Sequence, residues 1–268
     1  MKLSIVVPSY NSERYISETL DSIKKIKNEN VELIIIDGGS TDNTLKIIES
    51  YKAIVDIVIS EPDKGVPDAL NKGFGLATGD IYCWLNSDDI YLSDNFLPKM
   101  FDSFDSLAVG FVFCNSVVFA ESGLIQSFLR GWQMTPNQLF KGSNIFTGSL
   151  FFSRQTWVEF GKFDLRYNLA FEYQLLKFLF LNFRYKYCDC YVGGFRNRKD
   201  ALSKKYAELM TKQRHEVFGC HPTAGIAFNF ERFVIEIRSG KFIRTLRTKY
   251  FNRHIGKHIS KVNFNRVN

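Results

Sequence analysis

Length and composition set the first limits on this protein. The chain has 268 residues, 45% of them hydrophobic, which is enough for one large α/β domain with a buried core or for two small domains. No apolar run approaches the ~20 residues that a helix needs to cross a bilayer, so no membrane-spanning helix is predicted. Five cysteines are an odd number in a chain without a secretory signal, and this favours reduced thiols in the cytosol over a disulfide framework.

The net charge of +7 comes from one end of the chain. The segment 238–268 holds nine Lys and Arg and no Asp or Glu, so the residues before it carry 26 basic against 28 acidic side chains. A negatively charged partner is therefore expected at this tail and not across the whole surface.

The first part of the chain alternates short apolar runs with helical patterns. The runs that predict strands are 3–7, 31–36, 55–59 and 81–85. Helices are predicted over 16–26, after the polar residues 40–42, and from Pro67. Alternation at this spacing predicts a mostly parallel, twisted sheet with helices on both faces, whose ligands collect beyond the carboxyl ends of the strands.

The second part of the chain is richer in Phe and less regular. A short helix is predicted after Arg154 and a stronger one over 171–181, followed by the basic tail. We expect one α/β domain with an appendage, divided as 1–105, 106–225 and a basic, amphipathic, helical segment 226–268.

Acidic residues follow three of the predicted strands, and no glycine-rich phosphate loop is present. The first turn, 8–12, contains no glycine and no GxxxxGK[ST] occurs, so a Rossmann dehydrogenase and a P-loop enzyme are both disfavoured. The acidic residues are Asp37, Asp63 and the pair Asp88 and Asp89. Carboxylates belong near a diphosphate when a divalent cation lies between them, or when they accept hydrogen bonds from a base or ribose. Asp37 suits base or ribose contacts, and Asp88 or Asp89 suits a metal.

Three blocks of sequence resemble the signature blocks of the family 2 glycosyltransferases, which have the GT-A fold. The blocks are IVVPSYN at 5–11, IDGGSTD at 36–42 and LNSDD at 85–89. Two further stretches, SEPDKG at 60–65 and DALNKG at 68–73, resemble a subgroup common among bacterial polysaccharide enzymes. The similarity covers about the first 90 residues and extends loosely to about residue 200.

This resemblance implies a site for a nucleotide-diphosphate sugar in 1–105 and an acceptor site in 106–225. The implied donor-site residues are Pro8, Ser9, Tyr10, Asp37, Asp63, Lys72, Asn86, Ser87, Asp88 and Arg196. The resemblance implies that Mn²⁺ or Mg²⁺ binds at Asp88 and Asp89. Alternatively, Asp89 does not bind the metal itself and supports Asp88. Many relatives have an Asp where this chain has Asn86, which offers only a neutral oxygen. Arg196, Arg198 and Lys199 resemble a basic segment that approaches the diphosphate in relatives, or they form a solvated loop.

Glu172 is the candidate catalytic base. Relatives often carry an Asp and an aromatic residue at this place in the helix, and here the pair is Glu172 and Tyr173. Apolar neighbours raise the pKa of a carboxyl toward the range useful for a general base. The alternative is an exposed residue or an ion pair with Lys177 or Arg184. As a base, Glu172 would deprotonate an acceptor hydroxyl for a single displacement that inverts the anomeric centre.

The sequence therefore predicts an inverting, metal-dependent glycosyltransferase of cell-surface polysaccharide or lipid-linked oligosaccharide synthesis. A UDP-sugar is the favoured donor, and a saccharide or lipid-linked molecule the acceptor. The tail 238–268 alternates basic and apolar residues, which predicts peripheral contact with an anionic membrane at its cytoplasmic face. Packing of the tail on the domain is the alternative. Two other functions stay open, a catalytically weak nucleotide-sugar-binding subunit and, less favoured, a nucleic-acid-binding protein.

Overall fold

One mixed sheet organises the part of the chain that the computed structural model describes, residues 1–131, 145–219, 233–234 and 253–265. The strands are β1 Leu3–Ser9, β2 Val31–Asp37, β3 Ile57–Ser60, β4 Ile81–Trp84, β5 Ile90–Tyr91, β6 Phe111–Ala120, β7 Ile125–Leu129, β8 Leu150–Ser153, β9 Tyr185–Asn197 and β10 Phe233–Val234. The α-helices are α1 Ile16–Lys24, α2 Thr44–Ser50, α3 Val66–Leu76, α4 Leu97–Leu107, α5 Arg154–Phe160, α6 Phe171–Asn182, α7 Leu202–Lys205 and α8 Ala207–Phe218.

The sheet has the strand order β10-β9-β6-β8-β4-β1-β2-β3, with β5 paired to β9 and β7 paired to β6. The pairs β1–β2, β1–β4 and β2–β3 are parallel, as the alternation of strands and helices predicts. β8 runs antiparallel between β4 and β6, and β6 pairs in parallel with β9. The first half of the chain thus builds a parallel sheet that the second half extends with mixed pairing.

Helices cover both faces of the parallel strands. All seven positions of β1 and all seven of β2 are buried, because side chains on each face meet a packed layer. On one face lies α1, with Ile16, Leu20 and Ile23 in the core, and on the other lies α3 with Leu70 and Phe74. The α/β architecture predicted from the sequence is confirmed.

Aromatic side chains join the second half of the chain to β4. The ring of Phe74 lies 4.7 Å from that of Trp157 and 5.4 Å from that of Phe152, between centroids. The ring of Phe171, the first residue of α6, lies 6.2 Å from that of Trp84, the last residue of β4. These contacts hold the start of α6 beside the carboxyl end of β4.

The described part of the tail packs on the domain and differs from the helix that its sequence predicts. Residues 253–265 contain a 3-10 turn at Ile259–Lys261 and no α-helix. Ile259, Val262 and Phe264 are buried against β6, β7 and β9, because the 3-10 turn and the residues after it turn these apolar side chains toward the sheet. The tail sequence predicts an apolar stripe from Phe242 to Ile255; its residues up to Phe251 lie outside the described residues, as does Cys220, and Ile255 is 51% exposed.

The described cysteines are free thiols. Cys83, Cys114 and Cys190 are buried, and Cys188 is half-buried. Within these residues no disulfide joins the strands, which agrees with the prediction of reduced thiols.

Candidate active site

The carboxyl ends of neighbouring strands stop at one level of the sheet. Ser9 of β1 lies opposite Asp37 of β2, which lies opposite Ser60 of β3. β4 ends earlier, with Trp84 opposite Val6. The β1 loop (10–15), the β2 loop (38–43), the β3 loop (61–65) and the β4 loop (85–89) therefore meet at the edge where parallel sheets bind ligands.

Hydrogen bonds join these loops to one another. The amide of Asn11 donates to Ser40 Oγ at 2.8 Å, and the Asn11 side-chain oxygen accepts from the Thr41 amide at 2.9 Å. The hydroxyl oxygens of Ser12 and Ser87 lie 2.7 Å apart and join the β1 loop to the β4 loop. Ser87 was predicted as a site residue, but Asn11 and Ser12 were not, because their partners lie about 30 or more positions away in the chain.

Pro8 and Ser9 are the last residues of β1, and Tyr10 follows them. Pro8 and Ser9 are buried, and the hydroxyl of Ser9 has no hydrogen-bond partner within the described residues. Tyr10 is 62% exposed, so its ring is open to solvent at the edge of the sheet where the four loops meet. A buried hydroxyl without a partner is unusual in a folded protein, and an exposed ring suits stacking on a flat ligand.

Asp37 is fully buried, and its carboxylate holds the β2 loop. One oxygen accepts hydrogen bonds from the amides of Gly39 and Ser40 and from the hydroxyl of Ser60, at 2.7 to 3.1 Å. The other accepts from the Ser40 hydroxyl. The carboxylate predicted to contact a base or ribose is thus occupied by the protein's own loop.

Asp63 lies against Gly38, half-buried at the mouth of the same loop. A Cβ on Gly38 would come within 2.8 Å of Asp63 Oδ2, so the glycine leaves the space that this carboxyl occupies. Burial raises the pKa of Asp63, against the hydrogen bond from the Gly65 amide. Lys72 lies nearby, but its ammonium pairs with Glu61 at 2.7 Å.

Asp89 is buried inside the β4 loop. Its oxygens accept hydrogen bonds from the Arg196 amide at 2.9 Å and from the Asn86 side-chain amide at 3.0 Å. Burial raises the pKa of Asp89 well above its usual range, and the nearby charge of Asp88 adds to this. Asn86 and Asp89 thus support the loop that presents Asp88, which is the alternative role foreseen for Asp89.

Asp88 is partly exposed, and an arginine lies beside it. Its Oδ2 lies 2.8 Å from Arg198 Nε. Burial raises the pKa of Asp88, while the charge of Arg198 lowers it. Among the described residues, no three His, Cys, Asp or Glu side chains are grouped to hold a metal. The donor set fits a hard cation that takes one carboxylate oxygen here and its other ligands from phosphate and water, as Mg²⁺ commonly does.

Arg196, predicted to bind the donor, is a buried connector. Its Nε donates to the main-chain oxygen of Asp88 at 2.8 Å, and its Nη2 donates to Glu18 at 2.8 Å. The guanidinium lies over the rings of Tyr15 and Phe119 at 4.6 and 4.7 Å and is 3% exposed. Arg198, two residues further and beyond the end of β9, is the arginine at the Asp88 carboxylate. Residues two apart along an extended chain point to the same face of the sheet, so the sequence pattern alone could not tell that Arg196 is buried and Arg198 is open.

Glu172 lies in the first turn of α6, next to the Phe171 that packs on Trp84. It makes no hydrogen bond or ion pair with the described residues, and burial raises its pKa from 4.5 to about 7. Lys177, one alternative partner, donates instead to the main-chain oxygen of Val217 at 2.7 Å. Glu172 therefore has no partner in the described part of the chain, and it follows the residue whose ring contacts the last residue of β4.

A model of the family "Glycosyl transferase family 2" matches residues 4–161. The chain is 30% identical over 144 residues to the Escherichia coli UDP-Glc:alpha-D-GlcNAc-diphosphoundecaprenol beta-1,3-glucosyltransferase WfgD, covering 53% of this chain and 56% of that protein. It is 28% identical over 170 residues to a PGL/p-HBAD biosynthesis glycosyltransferase of Mycobacterium tuberculosis, covering 62% and 64%. The chain thus spans less than two thirds of the length of these relatives.

Two solved structures share the fold. S. aureus TarS 1-349, in complex with UDP-GlcNAc, superposes with a TM-score of 0.66 and 20% identity over 81% of this chain and 65% of that one. The mannosyltransferase PcManGT from Pyrobaculum calidifontis, in complex with GDP-Man and Mn²⁺, superposes with a TM-score of 0.58 and 16% identity over 94% and 80%. These likenesses confirm the GT-A fold, and the family model covers more than half of the sequence. The chain therefore belongs to glycosyl transferase family 2.

Proposed function

We propose that this glycosyltransferase is a metal-dependent, inverting enzyme that transfers a sugar from a nucleotide diphosphate, with UDP favoured, to an acceptor hydroxyl. The observation that carries the proposal is Glu172, whose pKa burial raises to about 7 and which has no hydrogen-bond or ion-pair partner among the described residues. It follows Phe171, whose ring lies 6.2 Å from that of Trp84 at the end of β4. A group with a pKa near the working pH is deprotonated often enough to act and basic enough to take a proton.

The residues divide the reaction among them. Glu172 accepts the proton of the acceptor hydroxyl as that oxygen bonds to the anomeric carbon, and the bond from this carbon to the diphosphate oxygen breaks. One displacement from the opposite side inverts the configuration. Asp88 would hold Mn²⁺ or Mg²⁺, which when bound neutralises charge on the departing diphosphate. Tyr10, Ser9 and Asp63 would contact the nucleoside.

The roles of the other predicted donor-site residues follow from their contacts. We assign Asp37, Asp89 and Arg196 to holding the loops, because their charged groups are buried and hydrogen-bonded. Lys72 would orient Glu61 and the β3 loop through its ion pair. UDP is favoured because the names of WfgD and TarS include a UDP-sugar, while PcManGT with GDP-Man keeps GDP open.

A lipid-linked acceptor at the cytoplasmic face of a membrane is supported by the surface beside the cleft. The tail binds the tip of the β6–β7 hairpin, with Lys257 O accepting from the Ile125 amide at 2.9 Å. Leu124 and Ile255 are 43% and 51% exposed on this tip. The exposed basic residues of the described tail are Arg253, Lys257 and Lys261. Exposed apolar side chains among cations suit an anionic bilayer, so contact would be peripheral. No helix among the described residues is long and apolar enough to cross a bilayer.

The test is a calorimetric titration of UDP-, GDP- and dTDP-sugars in Mn²⁺, Mg²⁺ and EDTA, repeated on Asp88→Ala. We expect one donor class to bind in the presence of metal and to lose most of its affinity in the variant. NMR of the transferred sugar then gives the anomeric configuration, and retention would contradict the single displacement. A catalytically weak subunit would bind the donor and transfer nothing; Asn86, which leaves Asp88 as the open carboxylate of the β4 loop, favours this second candidate.

A further inference from the structure

The carboxylate of Asp88 already has a cation beside it. Arg198 Nε lies 2.8 Å from Asp88 Oδ2, and the two side chains are 27% and 22% exposed. The Nε–H makes no hydrogen bond of acceptable direction, so the contact is an ion pair without a strong directional bond. A partly exposed pair of this kind is weak and exchanges readily.

Arg198 differs from its neighbour Arg196 in its freedom to move. Arg196 is buried between two rings, and both its Nε and Nη2 donate to protein oxygens. Arg198 lies one residue past the end of β9, with its guanidinium 5.7 Å from the centre of the Tyr15 ring and 3.7 Å from Asp200. Arg196 thus fixes the loop while Arg198 can leave the carboxylate without breaking a buried hydrogen bond.

A guanidinium and a divalent cation cannot share this carboxylate without cost. A metal ion coordinates a carboxylate oxygen at about 2.0–2.2 Å, inside the space between Asp88 and Arg198. The two positive charges would also repel each other at short range. Because no described group of three ligating side chains supports a metal here, its affinity depends heavily on Asp88 and on the state of Arg198.

We propose that Arg198 is an exchangeable counter-ion of Asp88, which it neutralises in the empty cleft and releases to a divalent cation, moving to the diphosphate of the donor. The inference rests on the proposed function and adds a regulation of that same site. A diphosphate removes the competing guanidinium, so it strengthens metal binding. By reciprocity, metal strengthens diphosphate binding by the same factor.

The experiment measures Mn²⁺ binding to the full chain by electron paramagnetic resonance, with and without UDP, in the wild type and in Arg198→Gln. In the wild type UDP should tighten Mn²⁺ binding at least about 5-fold. In Arg198→Gln, Mn²⁺ alone should bind about 2- to 5-fold more tightly, because its competitor is gone. The added effect of UDP should shrink, because the diphosphate has lost its guanidinium.

Arg14→Gln is the matched control. Arg14 lies over the same Tyr15 ring, at 4.9 Å, but pairs with Glu121 at 3.2 Å and not with Asp88. Arg14→Gln therefore removes one positive charge near Tyr15, as Arg198→Gln does, but it does not free the carboxylate of Asp88. The inference is overturned if Arg14→Gln and Arg198→Gln change the Mn²⁺ affinity equally, or if Arg198→Gln leaves it unchanged.

Failure of the proposed function gives a different result. If no nucleotide-sugar binds the wild type under any metal condition, the transferase proposal falls. The Mn²⁺ affinities of the two arginine variants without UDP still decide whether Arg198 competes for Asp88. If a donor binds but neither the wild type nor Arg198→Gln binds Mn²⁺, the counter-ion inference falls and donor binding stands.

Discussion

Replacing Glu172 by Gln should make the protein more stable and inactive at the same time. The change keeps the size of the side chain and removes the charge that burial disfavours. Raising the pKa of a carboxyl from 4.5 to about 7 costs the folded state about 3 kcal/mol at a pH above both values. This is an upper bound, because the side chain keeps some exposure to solvent.

The sign of the effect depends on pH. The folded protein holds the proton of Glu172 more tightly than the unfolded chain does, so the wild type loses stability as pH rises from 4.5 to about 7. Glu172→Gln has no such loss and should gain up to about 3 kcal/mol over the wild type at pH 8, with little difference at pH 4. Transfer by the wild type should rise with pH through about 7 as the base loses its proton, and the variant should be about 10²- to 10⁴-fold slower.

Urea denaturation at pH 4 and pH 8 and initial transfer rates across this range measure both effects. Glu159→Gln, on the exposed side of α5, is the control and should change neither stability nor rate. Equal urea midpoints for Glu172→Gln and wild type at pH 8 would show that the carboxyl is well solvated. A variant that retains transfer within a few-fold would rule out Glu172 as the base.

Three further changes test the loops and the hairpin tip. Asp37→Asn should destabilise the fold by about 2–3 kcal/mol in urea denaturation, because an amide cannot replace all the hydrogen bonds that the carboxylate accepts. Gly38→Ala should lower nucleotide affinity in calorimetry with little loss of stability, because its Cβ pushes the carboxyl of Asp63 aside. Replacing Leu124 and Ile255 together by Ser should weaken binding to vesicles containing phosphatidylglycerol about tenfold or more in a sedimentation assay, since two apolar anchors are lost.

Each of these has an outcome that contradicts it. An unchanged urea midpoint for Asp37→Asn would mean that the loop does not depend on its charge. Wild-type affinity in Gly38→Ala would separate Asp63 from the nucleotide. For the hairpin tip, Val158→Ser removes a 71% exposed apolar side chain from α5 and should leave vesicle binding unchanged. If it weakens binding as much as the double variant does, the tip has no special part in membrane contact.

The sequence predicted the sheet well where pattern and local chemistry decide the structure. The ends of strands β1 to β4 lie within two residues of those of the predicted apolar runs, and α3 begins at Val66, one residue before the predicted Pro67. The insertion of β8 antiparallel between β4 and β6 was not predictable, because pairing between distant strands leaves no local signal. In the described part of the tail, 253–265, no α-helix forms, because basic and apolar residues near helical spacing also suit a segment with a 3-10 turn that packs its apolar side chains on a sheet.

Within the site, the sequence located the acidic residues but not their tasks. Asp37 ends a strand and Asp63, Asp88 and Asp89 follow strands, yet only the folded loops show which carboxylates accept hydrogen bonds from amides of the protein. Burial of this kind depends on contacts between distant segments, as when the Arg196 amide reaches Asp89. Contacts between distant segments also bury Arg196 and leave Arg198 open, so the sequence did not predict this difference.

The contact between Gly38 and Asp63 has an evolutionary consequence. A side chain at position 38 would start in the space that the Asp63 carboxyl occupies, so in this arrangement the two positions cannot both carry a large side chain. Positions 38 and 63 are therefore expected to change together across the family. Relatives with an acidic residue at the first should have a small or neutral one at the second.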